Sequence, residues 1–288
     1  MTRVAAIDLG TNATRLLVAD VDDGRVEEVV RRTKITRLGE GVDARRRLLP
    51  VAIARVRNTL VEYRRELESL GAERTLAVAT SAVRDAENGE AFLGEVEWSY
   101  GFKTRLLSGE EEAALILRGV GPLEPGTLVL DIGGGSTELV SDSFRTSLDI
   151  GSVRLTERFG VHLGAAAAHI RSLLPDHLDV ERVLGNDGTT AQVAALAHTT
   201  DVPLDAVEET LQWLLASTEE DRRDRLIEPD RSEVLAAGVL ILREVLRHLG
   251  VAAVRASNRD LLNGAALEAA ALPEPTEGAA PPGAYTCC

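Results

Sequence analysis

Two stretches of this chain repeat one another in register. Val129-Leu130-Asp131-Ile132-Gly133-Gly134-Gly135-Ser136-Thr137-Glu138-Leu139-Val140 follows the pattern of Ala6-Ile7-Asp8-Leu9-Gly10-Thr11-Asn12-Ala13-Thr14-Arg15-Leu16-Leu17, which lies 123 residues upstream. Each copy has an apolar run ending in Asp, then a turn of glycine, hydroxyl and amide residues, then a second apolar run. That pattern reads as strand, tight turn, strand. A supersecondary unit that returns after about one domain length is architectural. It predicts two related α/β domains whose Asp-x-Gly hairpins face each other across a cleft. A chain of 288 residues with 44% hydrophobic content has enough apolar material for two cores of ordinary size. We place the first domain at 1–121 and the second at 122–271.

The remaining elements follow from periodicity and punctuation. A third strand over Arg25 to Thr36 extends the first hairpin into a meander. Pro50 opens a helix that runs to about Leu70, with Val51, Ile53, Val56, Leu60 and Tyr63 at helical spacing and Gly71 as its stop. Short strands are expected at Thr75 to Ala79 and Lys103 to Leu107, and an amphipathic helix from Glu110 to about Leu117. The second half predicts helices at Ala191 to Ala197, Leu204 to Ala216 and Ser232 to Leu249, a strand at Val251 to Ala256 and a last helix at Asp260 to Ala271. From 272 to 288 the Pro, Glu, Gly and Ala composition predicts a disordered tail.

Charge and apolar runs exclude some functions. The net charge of -14 argues against a nucleic-acid binder that works through a general basic surface. The longest apolar run, Val234 to Leu242, is too short to span a bilayer and is followed by Arg243 and Glu244, so no membrane association is expected. The N-terminus reaches Asp8 before an apolar leader is complete, which predicts a cytoplasmic address. Both cysteines, Cys287 and Cys288, read as tail residues. None of the histidines has metal-ligand spacing beside carboxylates, and we assign them no role.

The hairpins carry the chemistry. A tight glycine turn aims successive backbone N–H groups in one direction and lets an oxyanion approach without Cβ interference. Gly10, Thr11 and Asn12 in one copy and Gly133, Gly134, Gly135, Ser136 and Thr137 in the other have that composition. Asp8 and Asp131 would repel a phosphate in direct contact, so they suit a magnesium ion or an oriented water, and Glu138 is placed to join them. Glu110, Glu111 and Glu112 are candidates for the carboxylate that activates water, although the helix dipole alone would favour acidic residues there.

Five ordered segments resemble motifs of the exopolyphosphatase and guanosine pentaphosphate phosphohydrolase (Ppx/GppA) family, within the actin and sugar-kinase superfamily. They are Ala6 to Asn12, Ala79 to Ala86, Ser108 to Ala113, Asp131 to Glu138 and Gly151 to Glu157. The resemblance implies two actin-like, ribonuclease H-like α/β domains. It also implies hydrolysis of the terminal phosphate of inorganic polyphosphate with Mg2+ as cofactor. The pattern Ser-Gly-x-Glu-Glu-Ala gives the catalytic role to Glu112, with Glu111 second, and Arg84 matches a family arginine that faces the phosphates. Mg2+ would be held by Asp131, Glu138 and Asp8, and the resemblance leaves room for a homodimer.

Alternatives on the same residues are hydrolysis of guanosine pentaphosphate, a kinase of the same superfamily, or a non-catalytic regulator that binds guanosine polyphosphate. The second half departs from the family at Gly185-Asn186-Asp187-Gly188-Thr189-Thr190, where Asp187 brings negative charge to an expected anion site. The basic segments Arg31 to Arg37 and Arg45 to Arg47 are candidate guides for a long polyanion. For the triplet, a solvated charge run is the plainer reading.

Overall fold

The computed structural model describes residues 1–176 and 178–273. His177, Cys287, Cys288 and the expected tail from 274 onward lie outside the described residues. The described residues form two compact units, Met1–Val120 with the segment from Leu261 onward, and Gly121–Asp260.

The first unit is built on β1 (Thr2–Leu9), β2 (Ala13–Asp22) and β3 (Arg25–Ile35). Then come α1 (Val42–Arg45), α2 (Pro50–Ser69), β4 (Arg74–Ala79), α3 (Ser81–Asp85), α4 (Gly89–Tyr100), β5 (Lys103–Leu106) and α5 (Gly109–Val120). The sheet order is β3-β2-β1-β4-β5. β1 pairs antiparallel with β2 and parallel with β4, so it is central and buried over most of its length. Pro50 occupies the first turn of α2, where a missing N–H costs nothing. The buried stripe of α2 is Ala52, Val56, Leu60, Tyr63 and Leu67, while Val51 is exposed. The Tyr63 hydroxyl donates to the Thr14 carbonyl at 2.9 Å, which ties α2 to the hairpin.

The second unit repeats the plan. It contains β6 (Thr127–Ile132), β7 (Thr137–Val140), β8 (Arg145–Leu148), α6 (Ser152–Phe159), α7 (Leu163–Leu173), β9 (Arg182–Gly185) and α8 (Gly188–Ala197). These are followed by β10 (Asp201–Pro203), α9 (Leu204–Ala216), α10 (Glu219–Arg225), α11 (Leu235–Leu249) and β11 (Ala253–Ala256). The order β10-β11-β9-β6-β7-β8 contains the run β9-β6-β7-β8, which matches β4-β1-β2-β3 in pairing sense as well as sequence. The duplication read from the sequence is therefore a duplication of sheet topology. The expected helix from Ser232 begins at Leu235, after a single 3-10 turn at Pro229–Arg231.

The last helix, α12 (Leu261–Ala270), was assigned by sequence to the second domain, and the structure corrects this. α12 packs in the first unit against β1 and α5. Gly264 makes the approach to α5 feasible, because a Cβ there would lie 2.0 Å from the Leu115 carbonyl oxygen. Asn263 accepts from Arg31 at 3.1 Å, and Glu268 accepts from Arg105 at 2.6 Å.

Candidate functional site

In the first unit the site residues follow the carboxyl ends of β1, β4 and β5, the edge where open α/β sheets bind ligands. The β1–β2 turn closes with the Gly10 N–H on the Ala13 carbonyl at 3.1 Å. Behind it, the Thr11 carbonyl accepts from Gly39 at 2.8 Å, and the Asn12 carbonyl accepts from Thr36 and Arg37 at 3.0 and 2.8 Å. Two of the turn's carbonyls are thus engaged from behind. Among the described residues the backbone N–H groups of Thr11 and Asn12 meet no acceptor, and neither does the buried Nδ2 of Asn12. A buried donor of that kind is what an anion would satisfy.

Asp8 lies near the end of β1 and is ion-paired. It lies directly across the ladder from Arg15, and its Oδ2 accepts from Arg15 Nε at 2.9 Å and pairs with Arg15 Nη2 at 2.7 Å. The pair engages Oδ2, while Oδ1 is buried and accepts no hydrogen bond among the described residues.

Arg84 and Glu112 are brought together. Arg84, on α3 after β4, donates through Nη1 to the Leu107 carbonyl at 2.7 Å and to Glu112 Oε2 at 3.3 Å. Glu112 itself is buried, with 7% of its surface exposed. Its neighbour Glu111 points elsewhere. Glu111 Oε2 accepts from the Ser108 N–H at 2.8 Å, the Glu111 N–H donates to Ser108 Oγ at 3.2 Å, and Oε1 accepts from Arg105 at 2.8 Å. That is a capping box at the start of α5. The Arg105 guanidinium and the Ser108 donors hold its carboxyl down at about 2. The geometry thus separates a capping glutamate from a catalytic candidate.

In the second unit the β6–β7 turn has the same closure, Gly133 N–H to Ser136 carbonyl at 2.9 Å. Here α6 supplies the backing. The Gly133 carbonyl accepts from the Ser152 N–H at 2.9 Å, and that of Gly134 accepts from Val153 and Arg154 at 2.8 and 3.1 Å. The buried Arg154 side chain reaches the Gly135 carbonyl at 2.7 Å. Gly151 is required for this clasp, since a Cβ would sit 2.4 Å from Gly134. The N–H groups of Gly134, Gly135 and Ser136 meet no acceptor among the described residues. Thr137 does not join the donors, because its hydroxyl goes to the Ile150 carbonyl at 2.6 Å.

Opposite Asp131 on the ladder stands Glu138, 1% exposed, with Oε1 accepting from Ser147 Oγ at 2.7 Å. Two carboxylates facing each other across adjacent strands repel unless a cation or proton intervenes. This donor set suits a hard divalent cation. Asn186, after β9, offers its amide nitrogen to Asp131 Oδ2 at 3.2 Å, in the orientation that its hydrogen-bond surroundings demand. Asp187 is corrected from an anion-site charge to a helix cap. It is buried and accepts from the Thr190 N–H at 2.9 Å and the Thr190 hydroxyl at 2.8 Å, and burial pushes its carboxyl above the usual range. A groove of about 430 Å³ in the first unit, lined by Lys103, Arg105, Arg118 and Glu268, contains none of the predicted site residues.

Comparison with known proteins follows the same lines. Residues 17–271 match the Ppx/GppA phosphatase family. A protein named exopolyphosphatase 2 from Mycobacterium tuberculosis is 36% identical over 94% of this chain and 99% of its own length. This chain belongs to the Ppx/GppA phosphatase family. A Vibrio vulnificus protein named guanosine-5'-triphosphate,3'-diphosphate pyrophosphatase is 37% identical over 54% of this chain and 33% of its own. Among solved structures, an exopolyphosphatase-like protein superposes with a TM-score of 0.84 at 29% identity, covering 93% of this chain and 98% of that one. An exopolyphosphatase from Cytophaga hutchinsonii superposes with 0.82 at 25% identity, covering 91% and 96%. The two-sheet α/β architecture is that of Ppx/GppA structures, and the family makes this chain a phosphatase of phosphoanhydride bonds. A divalent metal goes with that chemistry. No helix of the described residues is long and apolar enough to cross a membrane.

Arg15, Asn186 and Arg154 were not singled out by sequence. Arg15 was readable, since it holds the repeat position that Glu138 holds in the second copy.

Proposed function

We propose that the protein is an exopolyphosphatase that removes the terminal phosphate of inorganic polyphosphate. The observation that carries this reading is the buried Glu112 held by Arg84 in the same unit as a glycine turn with unused donors. Glu112 accepts a proton from the attacking water, whose oxygen bonds to the terminal phosphorus. The bridging P–O bond breaks, orthophosphate leaves, and the chain is shorter by one unit. Arg84 fixes the Glu112 carboxylate and offers positive charge to the phosphate. Gly10, Thr11 and Asn12, with Gly133, Gly134, Gly135 and Ser136, donate to phosphate oxygens. Asp131 and Glu138 would hold Mg2+, which supplies charge neutralisation when bound. A cytoplasmic homodimer belongs to the same reading.

Orthophosphate release should be measured with polyphosphate, guanosine pentaphosphate and ATP, with and without Mg2+. Polyphosphate is expected to be the best substrate. Glu112→Gln is expected to lower kcat by about 10²–10⁴. Release that survives this change would remove Glu112 as the base, and a preference for guanosine pentaphosphate would replace the substrate.

A further inference from the structure

The loop after β3 backs the first hairpin turn and then carries three arginines. Its start, residues 36–39, supplies the N–H groups that hold the Thr11 and Asn12 carbonyls. Gly39 is so close to the turn that a Cβ would meet Thr11 Cγ2 at 2.2 Å and Ala82 Cβ, on α3, at 3.1 Å. The loop's end is bound to the segment that follows α3. Arg46 closes α1 in the left-handed region with φ 53° and its N–H on the Val42 carbonyl at 2.8 Å. Its own carbonyl accepts from the Glu87 N–H at 2.9 Å. The Asn88 side chain accepts from the Leu48 N–H at 2.8 Å and donates to the Leu48 carbonyl at 3.1 Å. Arg45, Arg46 and Arg47 are therefore presented from a fixed backbone next to the short helix that bears Arg84.

Their charges are not balanced as those of the neighbouring segment are. Arg31 pairs with Glu28 at 2.9 Å, Arg32 with Glu66 at 2.7 Å and Lys34 with Glu62 at 3.4 Å. Arg55 pairs with Glu40 at 2.7 Å. That pairing neutralises much of the 31–37 segment as a guide for an anion. In the triplet, Arg46 Nη1 is 4.0 Å from Asp85, but Arg45 and Arg47 are exposed with no carboxylate of the described residues within 4.0 Å. Two guanidinium groups without a carboxylate of the described residues within 4.0 Å can attract polyanions locally, against the net charge of -14.

We propose that Arg45 and Arg47 form a subsite for the distal phosphates of a chain substrate whose terminal phosphate is handled by Arg84 and Glu112. The proposal rests on the polyphosphatase reading and deepens it, because it makes affinity depend on chain length. On this proposal a substrate of three phosphates ends before the arginines, whereas one of tens of phosphates reaches them. Arg suits this role, since its planar fork matches phosphate oxygens. A fixed loop also lowers the ordering cost of capture.

The test compares the full-length protein with Arg45→Ser/Arg47→Ser, its folding checked by thermal unfolding. If the pair destabilises the protein, Arg47→Ser alone carries the test. Binding is measured with long-chain polyphosphate on protein carrying Glu112→Gln, and KM with long-chain polyphosphate and tripolyphosphate on protein with Glu112 intact. Loss of two exposed charge contacts is expected to weaken long-chain binding roughly fivefold and to flatten its salt dependence. KM for the long chain should rise by a similar factor and that for tripolyphosphate by less than twofold. Equal changes for both substrates, or long-chain binding indifferent to the arginines, would overturn the subsite. If the unsubstituted protein binds polyphosphate through these arginines but does not hydrolyse it, the functional reading falls and the subsite stands.

Discussion

The β1–β2 and β6–β7 hairpins share strand pairing, turn closure and a rear clasp on their carbonyls, yet they differ at one ladder position. Across from Asp8 stands Arg15, and across from Asp131 stands Glu138. The first hairpin thus carries a part-buried ion pair and the second a pair of like charges. A duplicated backbone can keep the same turn in both copies while one side chain decides whether the aspartate on the ladder faces a cationic or an acidic residue.

The strongest way to break the comparison is to remove the arginine. Asp8 is 4% exposed, so Arg15→Gln would leave a buried carboxylate without its counter-charge and is expected to cost about 3 kcal/mol in denaturant unfolding. The metal concentration needed for phosphate release should not move. If it moved, Asp8 would belong to the metal site after all. Glu138→Gln is expected to act in the opposite way. It relieves repulsion with Asp131, so stability should hold or rise, while the Mg2+ concentration for half-maximal phosphate release should increase by roughly 10–100-fold. An unchanged metal requirement would leave the two hairpins equivalent.

The smallest effect concerns the glutamates that follow β5. Glu111 has its carboxyl lowered from 4.5 to about 2. Its contribution is present above the unfolded value near 4.5 and disappears as pH falls towards 2. Because the side chain is 44% exposed, the contribution should stay below about 1 kcal/mol. The difference in Tm between the unsubstituted protein and Glu111→Gln should therefore be small at neutral pH and vanish near the lower limit, with kcat retained. Loss of turnover in Glu111→Gln would reverse the roles assigned to Glu111 and Glu112.

The sequence revealed the duplication, the turns and the order of motifs, because these are local patterns that repeat. It also placed α2 through Pro50 and the spacing of Val56, Leu60 and Tyr63. What it could not resolve depended on distances between segments far apart in the chain. Glu111 and Glu112 are equivalent as acidic residues in a first helical turn; the motif ranks Glu112 first, and the positions of Arg105 and Arg84 show what each side chain is bound to. Asp187 read as a charge because the cap it makes with Thr190 is visible only once α8 is seen to begin at Gly188. Thr137 read as a phosphate donor until the Ile150 carbonyl was found within reach of its hydroxyl. The helix α12 went to the wrong unit because its partner surface was made more than a hundred residues earlier, and Gly264 shows its purpose only against the Leu115 carbonyl.

That last helix has a consequence for how the protein is made. A nascent chain emerges from its N-terminus, and domains generally close as units as their residues appear. Here Gly121–Asp260 has left the ribosome in full while the surfaces of β1 and α5 still wait for Leu261–Ala270. The segment translated first is the last to be finished.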